Sequence, residues 1–137
     1  MKKILIIDGQ GGMLGKQLVE DVKKILPESE VIAVGTNIMA TNSMLKAGAD
    51  NGATGENAVV VCARTADIIV GPVGIAIADS LLGEITPQMA AAVGQSNAKK
   101  VLIPVNKCNN IIVGFDDKKT SELINDAIET IEEISRS

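Results

Sequence analysis

Apolar residues along this chain fall into short blocks separated by glycine-rich or polar breaks. The first block, "KKILIID" over residues 2–8, is aliphatic at consecutive positions and predicts a strand buried on both faces. Leu14, Leu18, Val19, Val22, Ile25 and Leu26 then recur at helical spacing, and Pro27 closes that helix. "EVIAVGTN" predicts a second strand, after which Thr36 or Asn37 caps a helix through Met44, Leu45 and Ala47 that Gly48 ends. Thr54 is expected to cap a helix over residues 56–65, although "AVVVC" inside it has the letters of a strand as well. "DIIVGP" predicts the third strand. Thr86 followed by Pro87 marks the next helix start. "KKVLIPV" predicts the fourth strand and "IIVGF", residues 111–115, the fifth. A last helix begins near Thr120 or Ser121, with Leu123, Ile124, Ala127, Ile128, Ile131 and Ile134 on one face.

Strands that are apolar throughout and alternate with helices belong to a parallel sheet covered on both sides. The expected architecture is therefore α/β: a single Rossmann-like domain over residues 1–137. It has three layers, α/β/α, around a mostly parallel sheet of about five strands, Rossmann-like or flavodoxin-like.

In such a sheet, ligands bind beyond the carboxyl ends of the strands. "DGQGGMLGK", residues 8–16, occupies that place and opens a helix, where exposed N–H groups and the helix dipole attract anions. Gly9, Gln10, Gly11, Gly12, Gly15 and Lys16 are the candidate ligand-binding residues of this loop. Thr36, Asn37, Gly71, Asn106 and Lys107 join them from the other strand ends. The loop matches neither standard phosphate motif. Gly15 and Lys16 suit a Walker A loop, but Gln10 replaces its first glycine and Gln17 its magnesium-binding hydroxyl. Gly9 and Gly11 suit a dinucleotide fingerprint, but the third glycine, Gly15, falls one residue late. The second strand ends in Gly35, Thr36 and Asn37 without an acid for a ribose. A nucleotide or dinucleotide is compatible with the loop; a standard NAD site is not. The competing reading is a tight turn that needs glycine and binds nothing. Asp8 would repel a phosphate and is read as a cap for backbone N–H groups.

Composition narrows the chemistry. Histidine and tyrosine are both missing, so any general acid or base is Asp, Glu, Lys or Cys, and no His-ligated metal site is expected. Cys62 and Cys108 are isolated; Cys62 reads as core, and Cys108 beside Lys107 is a weak candidate nucleophile. The net charge is -4 and Phe115 is the sole aromatic residue, which argues against a nucleic-acid partner. No apolar run approaches a membrane span, and the first one is too short for a signal peptide, so a cytoplasmic location is expected. "NGATGENA" offers Thr54, Glu56 and Asn57 near a helix start and is read as capping. "IADSLLGEIT" is long for a connection, carries Asp79, Ser80 and Glu84, and reads either as a lid or as a packed segment. If residues 58–63, "AVVVCA", are helical, they are apolar all round, which points to a homo-oligomer and most simply a dimer.

Taken together, "IDGQGG", "GTN", "AGA", "GATGENA", "GPVGI", "LLGEITP" and "IPVNKC" resemble a bacterial family of short proteins, a domain of unknown function with a glycine-rich N-terminal loop. The resemblance spans about residues 3–134. It implies the same Rossmann-like fold and brings no established reaction, substrate or catalytic residue. The functions left open are three: a binding protein for a small anionic or phosphorylated ligand, a small enzyme acting on such a ligand, and an interaction protein whose glycine loop is only a turn.

Overall fold

A computed structural model describes residues 2–105, 109–115 and 117–137. β1 (Lys3–Asp8), β2 (Glu30–Gly35), β3 (Asn51–Thr54), β4 (Ile68–Pro72) and β5 (Lys99–Ile103) form one sheet in the order 3-2-1-4-5. Every neighbouring pair is parallel. This is the doubly wound α/β class expected from the sequence, and 3-2-1-4-5 is its Rossmann order.

Five α-helices cover the sheet: α1 (Met13–Ile25), α2 (Ile38–Lys46), α3 (Glu56–Ala63), α4 (Pro87–Gln95) and α5 (Thr120–Arg136). Right-handed crossovers place α1 and α2 on one face while the chain steps from β1 out to β3. When the chain returns and steps the other way through β4 to β5, the same handedness puts α3 and α4 on the opposite face. The core records this split. Ile4 and Ile6 of β1 pack with Leu18, Val22, Met44 and, from α5, Ile124 and Ile128. Leu5 and Ile7, the alternate positions, pack with Val59, Ile75, Met89 and Val93. β1 is apolar at every position from Ile4 to Ile7 because both of its faces are buried.

Capping largely follows the sequence. Asn37 Oδ1 accepts from the Ala40 N–H at 2.9 Å, and Thr86 Oγ1 from the Met89 N–H at 3.1 Å. "AVVVC" is helical, as one of its two readings required, and α3 ends at Ala63.

Three details are corrected. Thr54 is the last residue of β3, and Gly55, with φ 102°, precedes α3 without a side-chain cap. The fifth strand is β3, from the polar stretch "NGAT" expected to lead into a helix cap. Residues 111–115 contain no strand; Val113 and Gly114 form a turn, and Ile111 and Val113 are 89% and 94% exposed. A strand needs a partner edge. β2 supplies one to residues 51–54, in register from Ile32 opposite Asn51 to Gly35 opposite Thr54. Among the described residues, no helix is long and apolar enough to cross a membrane.

Since residues 111–115 bury neither Ile111 nor Val113, Ile111→Asp and Val113→Asp should each change unfolding free energy by less than about 0.5 kcal/mol. Ile69→Asp, inside β4, should abolish cooperative unfolding. Urea titrations followed by circular dichroism check both.

Candidate functional site

The order of strands reverses between β1 and β4, so the crevice at their carboxyl ends is the topological switch point of the sheet. Three segments meet there: the turn of residues 9–12, the start of α2 and the connection of residues 77–86.

The turn is built around Asp8. Its carboxylate is buried and accepts two backbone N–H groups, Gly9 at Oδ1 (2.8 Å) and Gly15 at Oδ2 (2.7 Å). Gly15 lies in the first turn of α1, so Asp8 caps that helix from seven residues upstream while Gly12, immediately before α1, supplies no side chain. Burial pushes the Asp8 carboxyl above its ordinary value of 3.8; the Gly15 and Gly9 donors pull it down, and the nearby Glu84 charge pushes it further up.

The glycines do different jobs. Gly12 has φ 73°, and a Cβ there would come within 2.7 Å of the Ala40 Cα. A Cβ at Gly15 would meet Met44 Sδ at 2.5 Å, and one at Gly9 would meet Glu84 Oε1 at 2.6 Å and Thr36 Oγ1 at 2.7 Å. Gly11 differs: the nearest neighbour of a Cβ there would be Met13 Cγ at 3.9 Å, an ordinary contact that leaves room for a side chain. Gly71 lies inside β4, against the carbonyl of Ile7, and close strand packing accounts for it.

Other candidates cluster at the turn. The Asn37 amide nitrogen donates to the Gln10 carbonyl and to Glu84 Oε2, both at 2.9 Å. Glu84 Oε1 in turn accepts from the Gln10 N–H at 2.7 Å. Ser43 Oγ reaches the Gly11 carbonyl at 3.3 Å. Thr36 Oγ1 is buried and has no hydrogen-bond partner among the described residues. Lys16 is exposed on α1. Asn106, Lys107 and Cys108 lie outside the described residues. The sequence reading singled out Glu84 but did not join it to Gln10 and Asn37; its only sequence signal was the length of the connection carrying it.

The N–H groups of the turn can be accounted for one by one. Gly9 and Gly15 bond to Asp8, Gln10 to Glu84, and Gly12 to the Gly9 carbonyl. Gly11, Met13 and Leu14 have no partner among the described residues. Met13 and Leu14 also line a cavity of about 490 Å³ between α1 and α5, shared with Gln17, Thr120 and Ile124. Exposed apolar side chains stand around the turn: Met13 at the start of α1, Ile38 and Met39 at the start of α2, and Leu82 in the long connection.

A doubly wound sheet with a glycine turn at its switch point defines a Rossmann-like α/β protein. The chain belongs to the family described as domain of unknown function DUF3842, whose pattern matches residues 3–136. No curated protein matches it significantly. Among solved structures it is similar to a dodecameric FMN-dependent Ubix-like decarboxylase from Escherichia coli O157:H7. That similarity has a TM-score of 0.48 and 17% identity, covering 96% of this chain and 76% of that one.

Because the folded Asp8 carboxyl titrates above its unfolded value, its contribution to stability is fully present below 3.8 and is lost as pH rises through the raised folded value. The stability advantage of wild type over Asp8→Asn should therefore grow as pH falls from neutral toward that ordinary value. Paired urea melts across this range measure it.

Proposed function

We propose that the protein binds a small phosphorylated ligand, a nucleotide or a metabolite of similar chemistry, at the turn between β1 and α1. The observation that carries this reading is the set of N–H groups on Gly11, Met13 and Leu14 at a helix start, without partners among the described residues, beside a glycine whose Cβ would make only an ordinary contact. A phosphate there would be held by backbone donors and the α1 dipole. Lys16, one turn into α1, adds positive charge nearby. The exposed Met13, Ile38 and Met39 side chains and the adjacent cavity favour a ligand with a ring or other apolar body. Thr36 and Asn37 contribute polar groups.

Gly11→Val is the direct test. The added side chain has room in the fold, so the variant should remain folded while blocking the phosphate position. In a thermal-shift screen of nucleotides, dinucleotides and sugar phosphates, a ligand at 100 times its Kd stabilises wild type by about 2.7 kcal/mol. Gly11→Val should lose that shift. An unchanged shift in a folded variant would place the ligand elsewhere.

The homo-oligomer belongs to the same proposal. Val61 is 45% exposed on α3, a helix with almost no polar outer face, and a two-fold contact would cover it. Light scattering should give a dimer for wild type and a folded monomer for Val61→Glu; a wild-type monomer at micromolar concentration would end this reading.

A further inference from the structure

The 79–84 segment closes over the turn just described, and two anchors hold its tip there. One is Leu81, buried beside Gly9. The other is the Glu84 carboxylate, which takes the Gln10 N–H with one oxygen and the Asn37 amide with the other. The base of the segment is closed on itself by Asp79 N–H to the Ile85 carbonyl at 2.7 Å and Ile85 N–H to the Ser80 carbonyl at 3.1 Å.

The tip sits in an unfavourable backbone conformation. Asp79, Leu81 and Leu82 have φ of 66°, 56° and 56°. Leucine carries a steric penalty in that left-handed region, where its Cβ crowds the following carbonyl. Leu82 recovers none of it by burial, being 96% exposed. Beneath the tip lies the Thr36 hydroxyl, without a partner among the described residues and within 2.7 Å of where a Gly9 Cβ would stand. Strain, a carboxylate on a backbone donor next to the proposed phosphate position, and an orphaned hydroxyl below it occur in one place.

We propose that residues 79–84 form an autoinhibitory strap in which Glu84 acts as an internal stand-in for the ligand's anionic group. This rests on the phosphate-binding reading above. A carboxylate on the Gln10 N–H excludes a phosphate oxygen from that donor and repels one on the adjacent Gly11 N–H. Ligand phosphate therefore competes with Glu84. Its binding releases the strap tip, relaxes the left-handed residues and uncovers Thr36 and Asn37. The strap sets a threshold: only a ligand whose anionic group outbids the tethered carboxylate opens the site.

Titration of the full chain with inorganic pyrophosphate, by calorimetry, tests this with four variants. Glu84→Gln should bind pyrophosphate at least tenfold more tightly than wild type. Glu84→Asp keeps the charge but withdraws it by one methylene, and should still bind several-fold more tightly. Leu82→Gly relieves the strain of the closed strap without removing a buried contact, and should bind several-fold more weakly. Gly11→Val should remove binding. If Glu84→Gln alone tightens binding while Glu84→Asp and Leu82→Gly match wild type, the effect is long-range charge and the strap is wrong. If no Glu84 or Leu82 variant departs from wild type but Gly11→Val abolishes binding, the strap is wrong and the phosphate site stands. If neither wild type nor Glu84→Gln binds pyrophosphate, both proposals fall. Should Glu84→Gln not fold, Leu82→Gly carries the test, since its side chain is in solvent.

Discussion

The Asp8 carboxylate fixes how the first strand passes into the first helix, and the surrounding site inherits its shape from that junction. With one oxygen on Gly9 N–H and the other on Gly15 N–H, it draws the end of β1 and the first turn of α1 onto one buried group. The chain between them has to fold back within a few residues. Gly12 takes the left-handed conformation that this requires and lies against the backbone of α2. Because Asp8 is sheltered from water, its charge depends on those two donors for compensation, and loss of either leaves a desolvated carboxylate. An internal anion thus satisfies the inner part of the helix start, as an external phosphate would in other proteins of this architecture.

That division gives the glycines of the loop separate meanings. Taken as a count, four glycines beside a lysine point to a ligand. Taken in place, Gly9, Gly12 and Gly15 are required because the strap, α2 and Met44 approach too closely for a side chain. Of the four, Gly11 is left without a packing reason, and it lies among the N–H groups that have no partner among the described residues. The part of the loop free to meet a ligand is therefore one face of one turn, not the whole glycine motif.

The sheet was legible in the sequence wherever burial on both faces wrote aliphatic runs, as in β1, β2 and β4. It failed at one edge, β3, while the other edge strand, β5, was readable from "KKVLIPV". Residues 51–54 are polar and pair on one side only, with β2, so their strand character comes from that partner and leaves no local pattern. Residues 111–115 have the letters of a strand but no neighbour to pair with in the sheet. In the site, Asp8 as a cap and Asn37 as an N-cap were readable, because both act on the loop or helix start that directly follows them, seven and three residues on. The Glu84 contact was not: it joins positions 74 residues apart in the chain, and only the fold brings them together.

Electrostatics give the proposed site its particular character. A chain of net charge -4 places two carboxylates, Asp8 and Glu84, at the turn where phosphate binding is proposed. The two are not equivalent. Asp8 is locked by the strand–helix junction, so it can only discourage an anion. Glu84 is carried on a connection whose backbone is held in a disfavoured conformation, and it bonds to donors a phosphate could equally use. Fixed negative charge lowers the affinity of every anion alike, whereas a displaceable carboxylate exchanges one anion for another at nearly constant local charge. A phosphate that replaces Glu84 therefore avoids much of the repulsion that it would meet beside it. On the proposed strap, an acidic rim and an anion site can share one turn: the acidity is partly tethered ligand, and the movement that would admit a phosphate would also remove the opposing charge.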